Sequence, residues 1–276
     1  VIDLRITLAR ADLAPVACEG MARAAGYARL RRARASALST ALRSAPDPGA
    51  EQASQLLFGE AFDVLRESGT FSWGQSRRDG YVGWVETAAL DGELDDPTHW
   101  VRAPRAPVLR EPKVRAPTLG ILGMSALVRI AGESGAFSEV SGLGWVATPH
   151  LAPVGSGFGR PPAIATMFLG TPYVWGGRDG AGLDCSGLIQ QSLYAAGLAC
   201  PRDADQQSAL GRAIAADVLV AGDLVVWRGH IGMMLDAEHL IHANAHHMAV
   251  TIESLAVAVT RIEAAGSGPP IAYRRL

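Results

Sequence analysis

Between Glu51 and Leu151 the apolar and polar positions alternate in short runs such as "AFDVLRE" and "ALVRIAGE", each bounded by glycine-containing turns. Alternation of period two predicts half-buried strands. The runs fall into an imperfect repeat. "ESGTFSWGQS" from Glu67 returns as "ESGAFSEVSG" from Glu133, and "GWVETAAL" from Gly83 returns as "GWVATPHL" from Gly144. Two small antiparallel barrels are expected, one over 51–98 and one, with its connector, over 99–155. The prolines of "DDPTHWVRAPRAPVLREPKVRAPTLG" exclude a long helix there and predict extended connector or edge strands. Ahead of the barrels, "GMARAAGYARLRRARASALSTALRS" is rich in Ala, Arg and Leu and predicts a helical arm over 1–50, closed by the "APDPGAE" turn.

From about Phe158 the texture changes. "RPPAIATMFLGTPYVWGG" predicts a short helix before a Pro-Tyr turn. A second helix follows Cys185, with Leu188, Ile189, Ser192, Leu193 and Ala196 on one face and Gly197 as its stop. Strand-like runs then occupy the C-terminal part. Helix followed by a series of strands predicts an α+β domain over 156–276.

Composition narrows the function classes. Hydrophobic residues make up 49% of the 276 residues, so the chain should be globular. The formal charge of −2 gives no electrostatic argument for a nucleic-acid or anionic-membrane partner, and the arginines near the start read as a solvated face. No window is long and apolar enough for a membrane span. Cys18, Cys185 and Cys200 form a poor disulfide framework, which favours a reducing compartment. The first residues do not read as a signal peptide, so a cytoplasmic location is expected; a leader removed ahead of Val1 would make it periplasmic or secreted.

The candidate chemistry centres on "GLDCSGLIQQS". Asp184 is placed to cap the helix, and Cys185 then lies in its first turn, where unpaired amides and the macrodipole favour a thiolate. A cysteine nucleophile also needs a base. In "HIGMML" and "LIHANA" the residues His230 and His242 have the parity that puts them side by side on one face of a hairpin centred near Ala237. One imidazole can then take the thiol proton while the other fixes its tautomer. Cys18 and Cys200 have no such setting and read as buried thiols. Zinc held by Cys185, His242, His246 and His247 is disfavoured, because adjacent His246 and His247 would point to opposite faces of a strand and no CxxC or HExxH pattern is present.

Taken in order, "TPYVWGG", "LDCSGLIQ", "PRDADQQ", "GDLVVWRGHIGMMLD" and "LIHANAHHMAV" resemble the NlpC family of papain-like cell-wall cysteine peptidases, from about Phe158 to the end of the chain. The tandem "GWV" repeat resembles bacterial SH3 domains, a combination that marks the YkfC-like subgroup. The resemblance implies two SH3-like β-barrels followed by a papain-like α+β cysteine peptidase domain that uses no cofactor or metal. It implies Cys185 as nucleophile, His230 as base, His242 as orienting residue and Tyr173 as a partner of the Cys185 amide at the oxyanion. The implied substrates are murein peptides of the L-Ala-γ-D-Glu-diaminopimelate type, cut between D-γ-glutamate and the diamino acid, with a free N-terminal amine. Asp184 and Ser186, with Glu60 and Tyr81 of the first SH3-like domain, are implied in gripping that amine, and a buried ammonium does need a carboxylate. Trp175, Arg202 and Asp203 are implied to lie near the substrate. Ala204 stands where some relatives carry a serine. The competing readings are a non-catalytic wall-binding module and a thiol acyltransferase on the same fold. Retention of Cys185, His230 and His242 together opposes the first.

Overall fold

The computed structural model describes residues 2–92 and 95–276. The chain divides into two compact units, one ending at Val154 and the other Gly155–Leu276.

The first unit carries the repeat. Strands Arg31–Ala35, Ser39–Arg43, Gln52–Leu57, Ala61–Ser68, Phe71–Ser76, Val82–Glu86 and Leu90–Asp91 form one sheet. It curls around Ala33, Ala35, Leu42, Leu56, Phe62, Val64, Tyr81 and Val85. The second barrel joins a five-stranded and a three-stranded sheet around Val101, Val108, Leu122, Val128, Val140 and Val146. The repeat is structural down to single bonds. In both copies a "GWV" strand runs into a 3₁₀ turn, Thr87–Ala89 in the first and Thr148–His150 in the second. The threonine that opens each turn reaches back to the serine of "FS": Ser72 Oγ to Thr87 Oγ1 and Ser138 Oγ to Thr148 Oγ1, both at 2.9 Å.

The helical arm expected over 1–50 is not present. Residues 2–29 carry a short parallel pairing of Ala14–Pro15 with Tyr27–Ala28 and a 3₁₀ turn at Val16–Cys18, and Leu8 packs against Leu65, Trp73 and Val82. Arg31–Ala35 and Ser39–Arg43 are strands of the first barrel, which therefore begins about twenty residues before the expected position 51. The physical reason lies in "RRARA". Its alanines favour a helix, but its period is two: Ala33 and Ala35 enter the core while the arginines point out. Pairing with Ala61–Ser68 overrides the propensity. The proline-rich stretch supplies strands His99–Val101, Arg105–Leu109 and the start of Thr118–Gly123.

In the second unit a six-stranded sheet has the order Arg212–Ala213, Ala272–Arg275, Leu224–Trp227, His230–Met234, His239–Asn244, Ala249–Ser254. Helix Leu255–Ala264 lays Ala258 and Ile262 on Val225, Trp227, Met234 and Leu240. Helix Cys185–Ala195 packs on strand His230–Met234. Only Tyr194 along this helix is not buried, so it is the buried helix expected. Two of its buried polar side chains bond to backbone: Gln191 Nε2 donates to Arg178 O (2.6 Å) and Ser192 Oγ to Leu188 O (2.7 Å).

Candidate functional site

Cys185 is the first residue of its helix. Asp184 caps it, with Oδ1 accepting from Gly187 N at 2.7 Å. The thiol is buried, and the backbone N–H of Ile231, the residue after His230, points at it. The hairpin register therefore matters directly. Met233 pairs with Ile241 and Met234 with Leu240, which centres the turn on Ala237 as expected. His230 and His242 meet in consequence, with Nε2 of the first 2.8 Å from Nδ1 of the second.

The electrostatics depart from the expectation of a thiolate. Burial pushes the Cys185 thiol up to about 12, and the neighbouring Asp184 carboxylate adds to this. The Ile231 amide, the Arg202 charge and the Ser186 amide oppose without prevailing. Burial depresses His230 to about 3, aided by His242 and Arg261 and resisted by Glu253. Burial likewise depresses His242 to about 3, aided by Arg261 and His247. Burial thus favours a neutral thiol and two neutral imidazoles at rest over a thiolate–imidazolium pair. The helix terminus is present, but one turn of oriented amides is outweighed by the loss of water.

Tyr173 sits between two anchored segments. Its N–H donates to Met248 O (2.9 Å) and it bridges to Leu183. Burial, then the Cys185 and Asp184 charges, raises its phenol, so the hydroxyl keeps its proton as a donor. Trp175, two residues on, is 60% exposed.

Asp184, Ser186 and Arg202 are bonded to one another beside Cys185. Asp184 Oδ1 accepts from Ser186 Oγ (3.2 Å), Gly187 N (2.7 Å) and Arg202 Nη1 (3.0 Å). Its Oδ2 accepts from Gly176 N (2.9 Å) and Arg202 Nη2 (2.6 Å). An ionised carboxylate offers about four lone-pair sites. Those of Asp184 are engaged within the protein in this structure. Ser186 Oγ also accepts from Arg202 Nη1 at 2.7 Å. Arg202 is 1% exposed and lies under the helix start rather than reaching toward a ligand. Asp203 caps the short helix Ala204–Gln207 in a capping box with Gln206. Ala204, the first residue of that helix, is itself buried.

Glu60 and Tyr81 belong to the first unit. Glu60 is fully buried; Oε2 accepts from Leu57 N (3.0 Å) and Oε1 lies 3.9 Å from Arg78 Nε. Tyr81 packs in the core of the first barrel. His246 and His247 lie in the turn after strand His239–Asn244, not on a strand, and their rings meet edge-on at 4.7 Å. His247 Nδ1 is 3.0 Å from Asn244 Oδ1. Among the described residues, no group of three or more His, Cys, Asp or Glu side chains is placed to hold a metal ion, and no helix is long and apolar enough to cross a membrane.

Two site residues escaped the sequence reading. Glu253 Oε1 lies 2.8 Å from His242 Nε2, and Arg261 is ion-paired to the same oxygen. The signal was available. His242 pairs with Thr251 across the next hairpin, which puts Glu253 on the same face two residues on.

Both parts of the chain are similar to known proteins. Residues 170–263 match the NlpC/P60 family, and residues 42–90 match the bacterial dipeptidyl-peptidase SH3 domain. A gamma-D-glutamyl-L-lysine dipeptidyl-peptidase of Bacillus subtilis (strain 168) is 32% identical over 216 residues, 68% of this chain and 71% of that protein. A Bacillus cereus protein of the same name is 35% identical over 94 residues, 31% of this chain and 28% of its own length. In three dimensions the chain is similar to the crystal structure of an NlpC/P60 family protein from Bacillus cereus. That match has a TM-score of 0.75 at 20% identity and covers 88% of this chain and 99% of the other.

Proposed function

The chain belongs to the NlpC/P60 family, and from that premise we propose that it is a cysteine peptidase that cuts the bond between D-γ-glutamate and a diamino acid in peptidoglycan stem peptides bearing a free N-terminal L-alanine. The observation that carries the reading is the buried thiol at a helix start, set against the strand that bears His230, with His230 hydrogen-bonded to His242. The substrate class is supported by the relative's name, which specifies a γ-D-glutamyl bond and removal of a dipeptide. A dipeptidyl-peptidase acts from the amino end, which fits a free alanine amine and a role in recycling small murein peptides.

In this mechanism the Cys185 sulfur attacks the γ-carbonyl carbon of D-glutamate as its proton passes to His230. Nε2 of His230 is engaged with His242, so Nδ1 is the nitrogen left for that proton. The carbonyl oxygen becomes an oxyanion, to which the Cys185 N–H and the Tyr173 hydroxyl donate. The C–N bond then breaks, His230 returns the proton to the departing amine of the diamino acid, and a thioester remains. Water, deprotonated by His230, hydrolyses the thioester and frees L-Ala-D-Glu and the thiol.

Mass spectrometry of products from murein tri- and tetrapeptides, with meso-diaminopimelate or L-lysine in third position and with free or acetylated amines, tests the reading. Release of L-Ala-D-Glu from free-amine peptides, lost in Cys185→Ala, is expected. Wild-type turnover by Cys185→Ala overturns the mechanism, and equal turnover of acetylated peptides overturns the free-amine requirement. Transfer of the dipeptide to an added amine in place of hydrolysis would point to the acyltransferase alternative.

A further inference from the structure

We infer that Glu253, held by Arg261, is a positioning residue that fixes the proton of His242 on Nε2 and so leaves the Nδ1 lone pair of His230 free to act as the base. The inference rests on the function proposed above and extends the pair of histidines to a chain of four residues.

The argument is one of donors and acceptors. A neutral imidazole has one N–H and one lone pair. His242 contacts His230 Nε2 through Nδ1 and Glu253 Oε1 through Nε2, each at 2.8 Å. Glu253 is paired with Arg261 and so is an acceptor only. With the His242 proton on Nε2, that N–H lies beside the carboxylate, and Nδ1 is a lone pair that accepts from His230 Nε2–H. His230 Nδ1 then has no proton. With the His242 proton on Nδ1, the pattern inverts. A lone pair would face the carboxylate oxygen at 2.8 Å within a fully buried ring, and His230 would receive a hydrogen bond at Nε2, forcing its own proton onto Nδ1. Such a His230 cannot accept from the thiol.

The Nε2 contact is close but bent away from the line of a full hydrogen bond, so the carboxylate acts on the proton chiefly through its charge. Arg261 pulls the other way, since a cation near Nε2 favours a lone pair there. The sign of the local field thus depends on Glu253 being present. The backbone holds Glu253 in place. It lies in strand Ala249–Ser254, directly before Ser254, whose Oγ caps the helix that carries Arg261 by accepting from Val257 N at 3.2 Å.

Long-range nitrogen–proton correlation spectra of the full chain labelled with ¹⁵N read the tautomers directly. Protonated Nε2 on both rings of the wild type is expected; a protonated Nδ1 on His242 overturns the inference without any variant. In Glu253→Ala, kcat should fall on the order of 100-fold with KM unchanged, and the His242 proton should move to Nδ1. Adding Arg261→Ala should restore part of both, because the opposing cation is gone, and Glu253→Gln, which keeps an acceptor oxygen, should fall between. Wild-type kcat and tautomer in Glu253→Ala, with Cys185→Ala inactive, overturns this inference and leaves the proposed function standing. Activity in Cys185→Ala would instead strike at that function.

Discussion

Arg202 and Asp184 form a buried ion pair beneath the nucleophile, with Nη2 2.6 Å from Oδ2 and Nη1 3.0 Å from Oδ1. The pair ties the loop after Pro201 to the residue that caps the Cys185 helix, so the helix start is held from below by a charge contact and from the side by backbone donors. The Asp184 charge raises the thiol more than the Arg202 charge lowers it, so the pair adds to the effect of burial at the sulfur.

Removing one partner leaves an uncompensated buried charge. Arg202→Ala should cost about 3–5 kcal/mol of unfolding free energy, measured by urea denaturation. Asp184→Ala should lose a similar amount, because the cap goes with the charge. If Asp184 instead gripped the substrate amine, Asp184→Ala would raise KM for free-amine peptides and leave stability unchanged. That result would restore the role the resemblance implies.

The high pKa of Cys185 gives a second expectation. Alkylation of the free enzyme by iodoacetamide should be slow at pH 7 and should climb through pH 10 without a plateau near neutrality, as the thiol deprotonates toward about 12. A plateau below pH 7 would mean that an ion pair with His230 exists at rest and that the helix terminus does outweigh burial.

How much of this was legible in the sequence depended on whether the signal was local. The repeat, the capped helix and the hairpin that joins His230 to His242 follow from short-range spacing, and each has its counterpart in the structure. "RRARA" misled because alanine propensity and alternation disagree there, and only pairing with Ala61–Ser68 decides between them. The commitment of Asp184 to Arg202 was not legible, since eighteen residues and an intervening helix separate the two. The raised thiol was also hidden, because burial on all sides is a property of the packed domain and not of the helix start.

The two histidines tie stability to pH. Both are depressed in the folded protein to about 3 from an unfolded value of about 6.5. Between those values the unfolded chain binds protons that the folded chain does not, so stability should be full above pH 6.5 and fall as the pH drops toward 3. Each group can contribute up to about 1.4 kcal/mol per pH unit within that window, with His242, fully buried, giving more than the partly exposed His230. Thermal melting from pH 7 to pH 4.5, above the range where most carboxylates titrate, should show the loss, and His242→Asn should flatten it. An equal slope in that variant would place the acid-sensitive groups elsewhere.

Gly187, the third residue of the nucleophile helix, offers a test in which two physical effects predict opposite signs. Glycine within a helix costs about 1 kcal/mol relative to alanine, so propensity alone makes Gly187→Ala stabilising. The packing says otherwise. A Cβ at this position would lie 2.2 Å from Gly177 O and 3.0 Å from Asp184 Oδ1. Neither atom is free to yield. Gly177 O accepts from Asp184 N at 3.3 Å, and Asp184 Oδ1 is held by Arg202. Relief therefore requires the 172–183 turn to move away from the helix, which shifts Tyr173 relative to Cys185. Overpacking of this kind costs about 1–3 kcal/mol, enough to cancel or reverse the propensity gain. We expect Gly187→Ala to be less stable than the wild type by chemical denaturation and to lose kcat more than it raises KM, because the oxyanion donors are displaced while substrate contacts elsewhere remain. A variant that gains about 1 kcal/mol and keeps full kcat would show that the helix start and the Tyr173 turn are not packed in register, and the proposed role of Tyr173 at the oxyanion would fall with it.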